Sequence, residues 1–318
     1  MRLVFLGTPA FAVPTLERMV EAGHEVPLVV TQPDRPRGRG QNAAPPPVKE
    51  AALRLGLSVY QPERVRRPEA VERLRGLAAD GMVVVGYGQI IPQAVIDLAP
   101  LGIINVHASL LPKYRGAGPI QWAIVNGETR TGVTTMRIDA GLDTGDMLLK
   151  AETELGPEEN AVDLGQRLAV MGAGLLVETM AGLAAGTVAA EKQDSAQATL
   201  APLLKKEDGR IDWSQTAGAI HNRVRGLQPW PGAYTTFRGQ TVHIWQSRVV
   251  TQTRPPAPGP RPLFPGRFAG LKPLTVACGE GALELLEIQL EGRKRIPAAD
   301  FANGQRLTEN DILGESHR

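Results

Sequence analysis

The feature that most constrains the fold is the regular exchange of two hydrophobic periods across the first 185 residues. Short apolar runs, Leu3–Leu6, Val26–Val30, Met82–Val85, Ile103–Val106, Gly132–Ile138 and Met147–Lys150, read as strands. Between them, Phe11–Ala22, Pro47–Leu55, Pro68–Leu77, Ile120–Asn126 and Ala161–Leu183 carry apolar residues at helical spacing. Strands that alternate with helices fold as an α/β domain, with helices covering both faces of a mostly parallel sheet. Met82–Val85 is apolar throughout and bounded by glycines, as a strand buried on both faces requires. The expected fold class is therefore α/β, a doubly wound, Rossmann-like sheet.

Periodicity fades between Gly186 and Leu204, where small and polar residues dominate. Beyond it come alternating stretches such as Gly239–Gln246 and Leu283–Leu290, separated by turns rich in Gly and Pro. These suggest a second, antiparallel β-domain, for which a barrel is one form. The expected organisation is a domain over 1–186, a linker over 187–204 and a β-domain over 205–318.

Charge and cysteine narrow the function classes. The net charge is +2, but residues 1–204 hold 19 basic and 22 acidic side chains, and residues 205–318 hold 16 and 11. The second half is thus basic, which fits a polyanionic partner or simply a soluble surface. The single cysteine, Cys278, allows no internal disulfide and no cysteine-based zinc cluster, and it suits a reducing, cytoplasmic home. No apolar run approaches the roughly 18 residues of a membrane span, so no membrane partner is expected. The apolar N-terminus is interrupted by Pro9 and Pro14 and is expected to be a first strand, not a signal peptide. A monomer is the default expectation.

Candidate chemistry gathers after the Ile103–Val106 strand. Asn105 and His107 are two apart, so on a strand they face the same side. An amide suits an oxygen that becomes negative in a transition state, and an imidazole moves protons near neutral pH. The glycine-rich loop Asp139–Asp146 offers carboxylates, of which Asp143 is the candidate partner; its plain alternative is turn chemistry. The loop lacks the ordered ligand spacing of a calcium site, so no metal is expected. The chain has no Gly-x-Ser-x-Gly and no His-Glu-x-x-His, which removes acyl-enzyme and zinc-protease chemistry. Gly7-Thr8-Pro9 makes a tight turn but not a dinucleotide fingerprint. A donor, a base and a carboxylate without a nucleophile suit direct transfer between two bound substrates. The loop from Thr31 to Gly40 carries Arg35, Arg37 and Arg39 and can grip phosphates, or be a solvated loop.

Asn105-Val106-His107, Ser109-Leu110-Leu111-Pro112, Arg115-Gly116 and Asp139-x-Gly141-Leu142-Asp143-Thr144-Gly145 resemble the folate-dependent formyltransferase superfamily. Gly7-Thr8-Pro9, the Thr31–Gly40 loop, Ile211-Asp212-Trp213 and Gln228-Pro229-Trp230-Pro231-Gly232 resemble, within it, the branch that formylates methionyl initiator tRNA. The resemblance covers nearly the whole chain. It implies that a formyl group moves from 10-formyltetrahydrofolate to the α-amine of methionine on initiator tRNA, for translation initiation. It gives Asn105, His107 and Asp143 the chemistry, and it lines the folate site with Ser109, Leu110, Leu111 and Pro112 and with Asp139 of the Asp143 loop. By strand position, Tyr87, Gly88, Gln89 and Ile90 wall the pterin too. It sets Arg35, Arg37 and Arg39 at the tRNA acceptor end, with Arg39 matching the family's key arginine. The second domain resembles an OB-like barrel that holds the tRNA arm, with Arg293, Lys294 and Arg295 as its basic turn. One departure is Gln41-Asn42-Ala43-Ala44, where relatives carry lysines. Sugar-nucleotide N-formyltransferases and 10-formyltetrahydrofolate hydrolases would share the triplet, and glycinamide ribonucleotide formyl transfer needs no second domain. A nucleic-acid-binding module with a decayed catalytic domain is the alternative from another class.

Overall fold

The computed structural model describes residues 1–36, 43–250, 264–308 and 310–314. These form two compact units: Met1–Pro119 with Arg130–Glu154 and Leu164–Pro202, and Ile120–Thr129 with Leu155–Asp163 and Leu203–Arg318.

The first unit is built on a seven-stranded sheet of β1 (Leu3–Gly7), β2 (Val29–Val30), β3 (Val59–Tyr60), β4 (Gly81–Val85), β5 (Ile103–His107), β6 (Arg130–Arg137) and β7 (Met147–Glu154). The order is β3-β2-β1-β4-β5-β6-β7. The first five strands pair in parallel; β6 and β7 pair antiparallel to their neighbours. The chain steps outward from β1 to β2 and β3, then returns to lay β4 and β5 on the other side. The reversal between β1 and β4 is the point where such sheets hold ligands, beyond the carboxyl ends of the strands. Gly7 pairs with Val85 and Val84 with Asn105, so the ends of β1, β4 and β5 stand side by side there.

Helices α1 (Val13–Glu21), α2 (Pro47–Arg54) and α3 (Pro68–Arg75) each begin with proline at the first or second position, where a missing N–H costs nothing. The short helix α4 (Gln93–Ile96) and the edge strand β3 escaped the sequence reading. The strand expected over Val26–Val30 shrinks to Val29–Val30, because Pro27 has no N–H to donate to a ladder.

α5 (Pro119–Val125) precedes β6, and α6 (Ala161–Ala185) follows β7. By length and composition α6 could cross a bilayer, with a mean hydropathy of 1.7 over its most apolar stretch, which corrects the expectation that no segment approaches that limit. Asp163, Arg167 and Glu178 break the apolar run without breaking the average. Leu164, Leu168, Leu176 and Met180 of this helix are buried within the protein. At Gly172 a Cβ would stand 2.6 Å from Val106 Cγ1, so only glycine lets α6 lie this close to β5. Gly172→Ala should gain helix propensity yet lower stability by about 1–3 kcal/mol, the usual cost of overpacking. A denaturant titration checks this, and a stabilised variant would show that the helix has room to shift.

The second unit carries the antiparallel order β8-β9-β12-β11-β10, from β8 (Ala233–Phe237), β9 (Gln240–Val249), β10 (Phe268–Leu271), β11 (Leu274–Ala277) and β12 (Ala282–Leu290), with β13 (Ile296–Pro297) on β12. Phe237 of β8 and Phe268 of β10 meet edge to face, with centroids 6.4 Å apart. The two outer strands thus share one core, as in a barrel, although among the described residues no ladder joins them. Val242 and Ile244 point into that core while His243 and Trp245 face outward, the alternation expected of a half-buried strand. Helices α7 (Ala217–Gly226) and α8 (Ala298–Gly304) add Ile220, Val224, Phe301 and Ala302 to it.

Candidate active site

β5 is buried along its whole length, and its last turn of pleat carries Asn105 and His107 on one face, 7% and 6% exposed. Two ring contacts define the state of His107. Nε2 lies 2.9 Å from the carbonyl oxygen of Tyr114. A carbonyl only accepts, so Nε2 carries the hydrogen and Nδ1 is left as the basic nitrogen of the neutral ring. Nδ1 faces Asp143 Oδ2 at 3.8 Å, within ion-pair range but too far for a direct hydrogen bond.

Asp143 sits at φ +51°, a left-handed conformation that aspartate tolerates better than most residues. Its Oδ2 accepts a 2.8 Å hydrogen bond from Gly116 N. Gly116 has φ +122°, and a Cβ there would lie 2.6 Å from the Ala201 carbonyl oxygen. The Arg115-Gly116 pair therefore brings a bare N–H to the carboxylate at a position closed to side chains. Asp139 is exposed. Its carboxylate accepts from Gly141 N (3.0 Å) and Thr144 Oγ1 (2.8 Å) and so shapes the loop that presents Asp143.

Asn105 differs from its neighbours: among the described residues its side-chain amide has no hydrogen-bond partner. A nearly buried amide left unpaired carries a cost that a ligand oxygen would relieve.

The turn after β5 is tied down by hydrogen bonds. Ser109 Oγ donates to Lys113 O (2.7 Å), and Thr134 Oγ1 donates to Ser109 O (2.7 Å) while accepting from Leu111 N (3.1 Å). Leu111 is 1% exposed and packs with Met136 and Met147, so its side chain belongs to the core; Leu110 and Pro112 are partly exposed. The second turn expected to wall the folate divides in the same way. Tyr87 is buried in the core against residues such as Val65 and Val71, and burial, then the neighbouring Tyr60, drives its phenol pKa upward. The Tyr87 carbonyl accepts from Thr8 Oγ1 (2.9 Å) and Gln32 Nε2 (3.2 Å). Gln89 spends its amide on Val65 N (2.7 Å) and Pro62 O (3.2 Å), Gly88 is open, and Ile90 is 91% exposed.

Two cavities open beside this turn. One, of about 480 Å³, is lined by Thr8, Pro9, Gln32, Arg35, Pro45 and Gly88 among others; the second, of about 370 Å³, shares Gln32, Arg35 and Gly88 and adds Arg64, Gln89 and Ile90. Asn105, His107 and Asp143 line neither. Arg35 is exposed at the start of a two-residue ribbon with Ala43–Ala44. Beside it, Asp34 is held below the usual carboxylate range by hydrogen bonds from Gln61 and then Lys49. Arg37 and Arg39 lie outside the described residues.

In the second unit Arg293, Lys294 and Arg295 are all exposed. The Arg295 guanidinium lies 3.6 Å above the Trp245 ring, which stacks on His243 with centroids 5.6 Å apart; His243 in turn meets Tyr234 at 5.8 Å. Burial lowers the His243 pKa, which keeps the middle of this tier neutral. Strand alternation could have revealed the tier, since Tyr234 and His243 are cross-strand partners, but sequence analysis singled out only the basic turn.

Residues 1–180 match the formyl transferase family model, and residues 203–306 match that of the formyl transferase C-terminal domain. The methionyl-tRNA formyltransferase of Solibacter usitatus is 78% identical over 317 residues, covering 100% of both chains, and that of Koribacter versatilis is 59% identical over 99% of both. An N-formyltransferase from Helicobacter canadensis, solved with folinic acid and dTDP-3-aminofucose, shares the fold with a TM-score of 0.64 over 89% of this chain and 98% of that one, at 18% identity. Fold likeness at that distance is common to many formyltransferases, whereas identity from end to end is not: the chain belongs to the methionyl-tRNA formyltransferase family.

Proposed function

We propose that the protein transfers the formyl group of 10-formyltetrahydrofolate to the α-amino group of methionyl initiator tRNA, with Asn105, His107 and Asp143 carrying the chemistry. The observation behind this is the unpaired Asn105 amide on one strand face with an imidazole whose free nitrogen looks toward a carboxylate. The neutral amine adds to the formyl carbon, the C=O electrons move to oxygen, and the nitrogen becomes positive. Asn105 donates to that oxyanion. Nδ1 of His107 takes the proton from the nitrogen, and the Asp143 carboxylate steadies the imidazolium that results. Collapse re-forms the carbonyl, breaks the bond to the folate nitrogen, and returns the proton to that nitrogen.

Residues 1–186 carry this chemistry in our reading, with the Ser109–Pro112 and Gly88–Ile90 turns and the Asp139 loop at the folate. Leu111, Tyr87 and Gln89 contribute there through backbone and support. The arginine loop meets the acceptor end. Residues 187–204 connect to a tRNA-holding domain over 205–318, and the protein acts in the cytoplasm as a monomer. Mixing it with 10-formyltetrahydrofolate and aminoacylated initiator tRNA should release folate and yield formylmethionyl-tRNA. Release with an amino-sugar nucleotide or with water, but not with tRNA, would overturn the reading.

The basic turn supplies a separate prediction. Neutralising Arg293, Lys294 and Arg295 to glutamine should reduce the salt slope of tRNA affinity by about two to three, close to one for each phosphate no longer neutralised. Turnover at saturating tRNA should be preserved. A salt series of binding measurements reads the slope, and an unchanged slope would take the turn off the tRNA.

A further inference from the structure

Gln193 lies in the stretch between α6 and Leu203, where no periodicity marks it for any role. Its side chain nevertheless closes a ring around Asp143. Nε2 donates to two backbone carbonyls of the Asp143 loop, those of Asp143 and Gly145, each at 2.8 Å. Oε1 accepts from Arg115 Nε at 3.0 Å. The orientation of this amide is fixed by its partners: an arginine N–H only donates and carbonyls only accept, so nitrogen must face the loop and oxygen must face Arg115. Arg115 is 8% exposed, and its backbone is bound on both sides, N to Thr199 O (2.9 Å) and O to Ala201 N (2.7 Å). The anchor is therefore rigid.

The segment Tyr114-Arg115-Gly116 then does three things at once. Tyr114 gives the carbonyl that fixes the His107 ring, Gly116 gives the N–H that fixes the Asp143 carboxylate, and Arg115 gives the side chain that fixes Gln193. The loop needs such a hold. Asp143 is in a left-handed backbone conformation, which is strained in a residue with a Cβ. Gln193 grips the carbonyl of that strained residue and the carbonyl two residues on.

We propose that Gln193 is a positioning residue for catalysis: by bridging Arg115 to the Asp143 and Gly145 carbonyls it holds the Asp143 carboxylate opposite His107 Nδ1. This role rests on the catalytic reading of Asp143 given above. It explains why the position carries glutamine and not glutamate, because a carboxylate would set an acceptor against two acceptors.

A double-mutant cycle tests it, since a residue acting only through Asp143 costs little once Asp143 has lost its charge. The proteins are wild type, Gln193→Leu, Asp143→Asn and the double variant, assayed for formyl transfer at saturating tRNA. Gln193→Leu should lower kcat by about thirtyfold or more, the scale of an ångström-sized misplacement, and leave the folate KM within about twofold. In the Asp143→Asn background the same change should cost less than about threefold. Equal fold losses in both backgrounds would make Gln193 a merely structural residue, and wild-type kcat in Gln193→Leu would make it dispensable; either overturns the inference. Near-normal turnover in Asp143→Asn alone would instead remove Asp143 from the mechanism, a distinct outcome. Gln193→Glu keeps the volume, carries the same cycle if the leucine variant does not fold, and should lose at least as much activity; wild-type kcat in it would also overturn the inference.

Discussion

His107→Ala is expected to lower kcat for formyl transfer by at least about a hundredfold, the scale for losing a positioned proton-transfer group. Folate binding should be retained. The ring's two contacts give the reason. The Tyr114 carbonyl holds hydrogen on Nε2, so the ring presents its lone pair at Nδ1, toward Asp143. No other imidazole lies on this strand. Removing the ring also leaves the Tyr114 carbonyl without this partner in a buried place, which costs about 1–3 kcal/mol of stability. Turnover must therefore be read at a temperature where thermal melts show the variant fully folded. His107→Gln separates the two effects, since its amide can still donate to the carbonyl but cannot take a proton near neutral pH. It should recover stability and not rate. Near-normal turnover in either folded variant would take His107 out of the mechanism.

The strand pair Asn105 and His107 was legible because a period of two admits one geometry, and the strand was bounded by clear signals. The parallel sheet was legible for the same reason: Leu3–Gly7, Gly81–Val85 and Ile103–His107 are apolar runs too short for helices. What the sequence does not carry are features that depend on the partner and not on the segment. Leu111 is set at the folate by family resemblance and Tyr87 by strand position; the structure shows that each turn sends that one side chain into the core, and a turn has no period from which to read direction. The Tyr114 carbonyl has no sequence signature at all, since every residue carries one. Gln193 stands 50 residues beyond Asp143 in a stretch of small and polar residues, and nothing local marks it. Pro27 is the opposite case: the signal that cuts β2 to two residues was present and outweighed by its apolar neighbours.

Asn105→Asp is expected to be the more damaging of two changes at that position. Asn105→Ala removes a donor and should cost about a hundredfold to a thousandfold in kcat, as loss of one oxyanion donor does. Asn105→Asp keeps the shape but puts an acceptor-only carboxylate where an oxyanion must form, in a place 7% exposed in the native protein. It also adds a second negative charge to the site that Asp143 already occupies. Folate affinity should change less than kcat in both, because the formyl oxygen is neutral until the amine attacks. The two explanations for a dead aspartate variant, misfolding and repulsion, part on pH. Once protonated, the introduced carboxyl donates through its O–H, so the ratio of variant to wild-type kcat should rise as pH falls. A ratio flat with pH in a folded variant would mean that position 105 does not face the developing charge. A variant that raised only KM would mean that Asn105 binds the ground state and leaves the transition state to another donor.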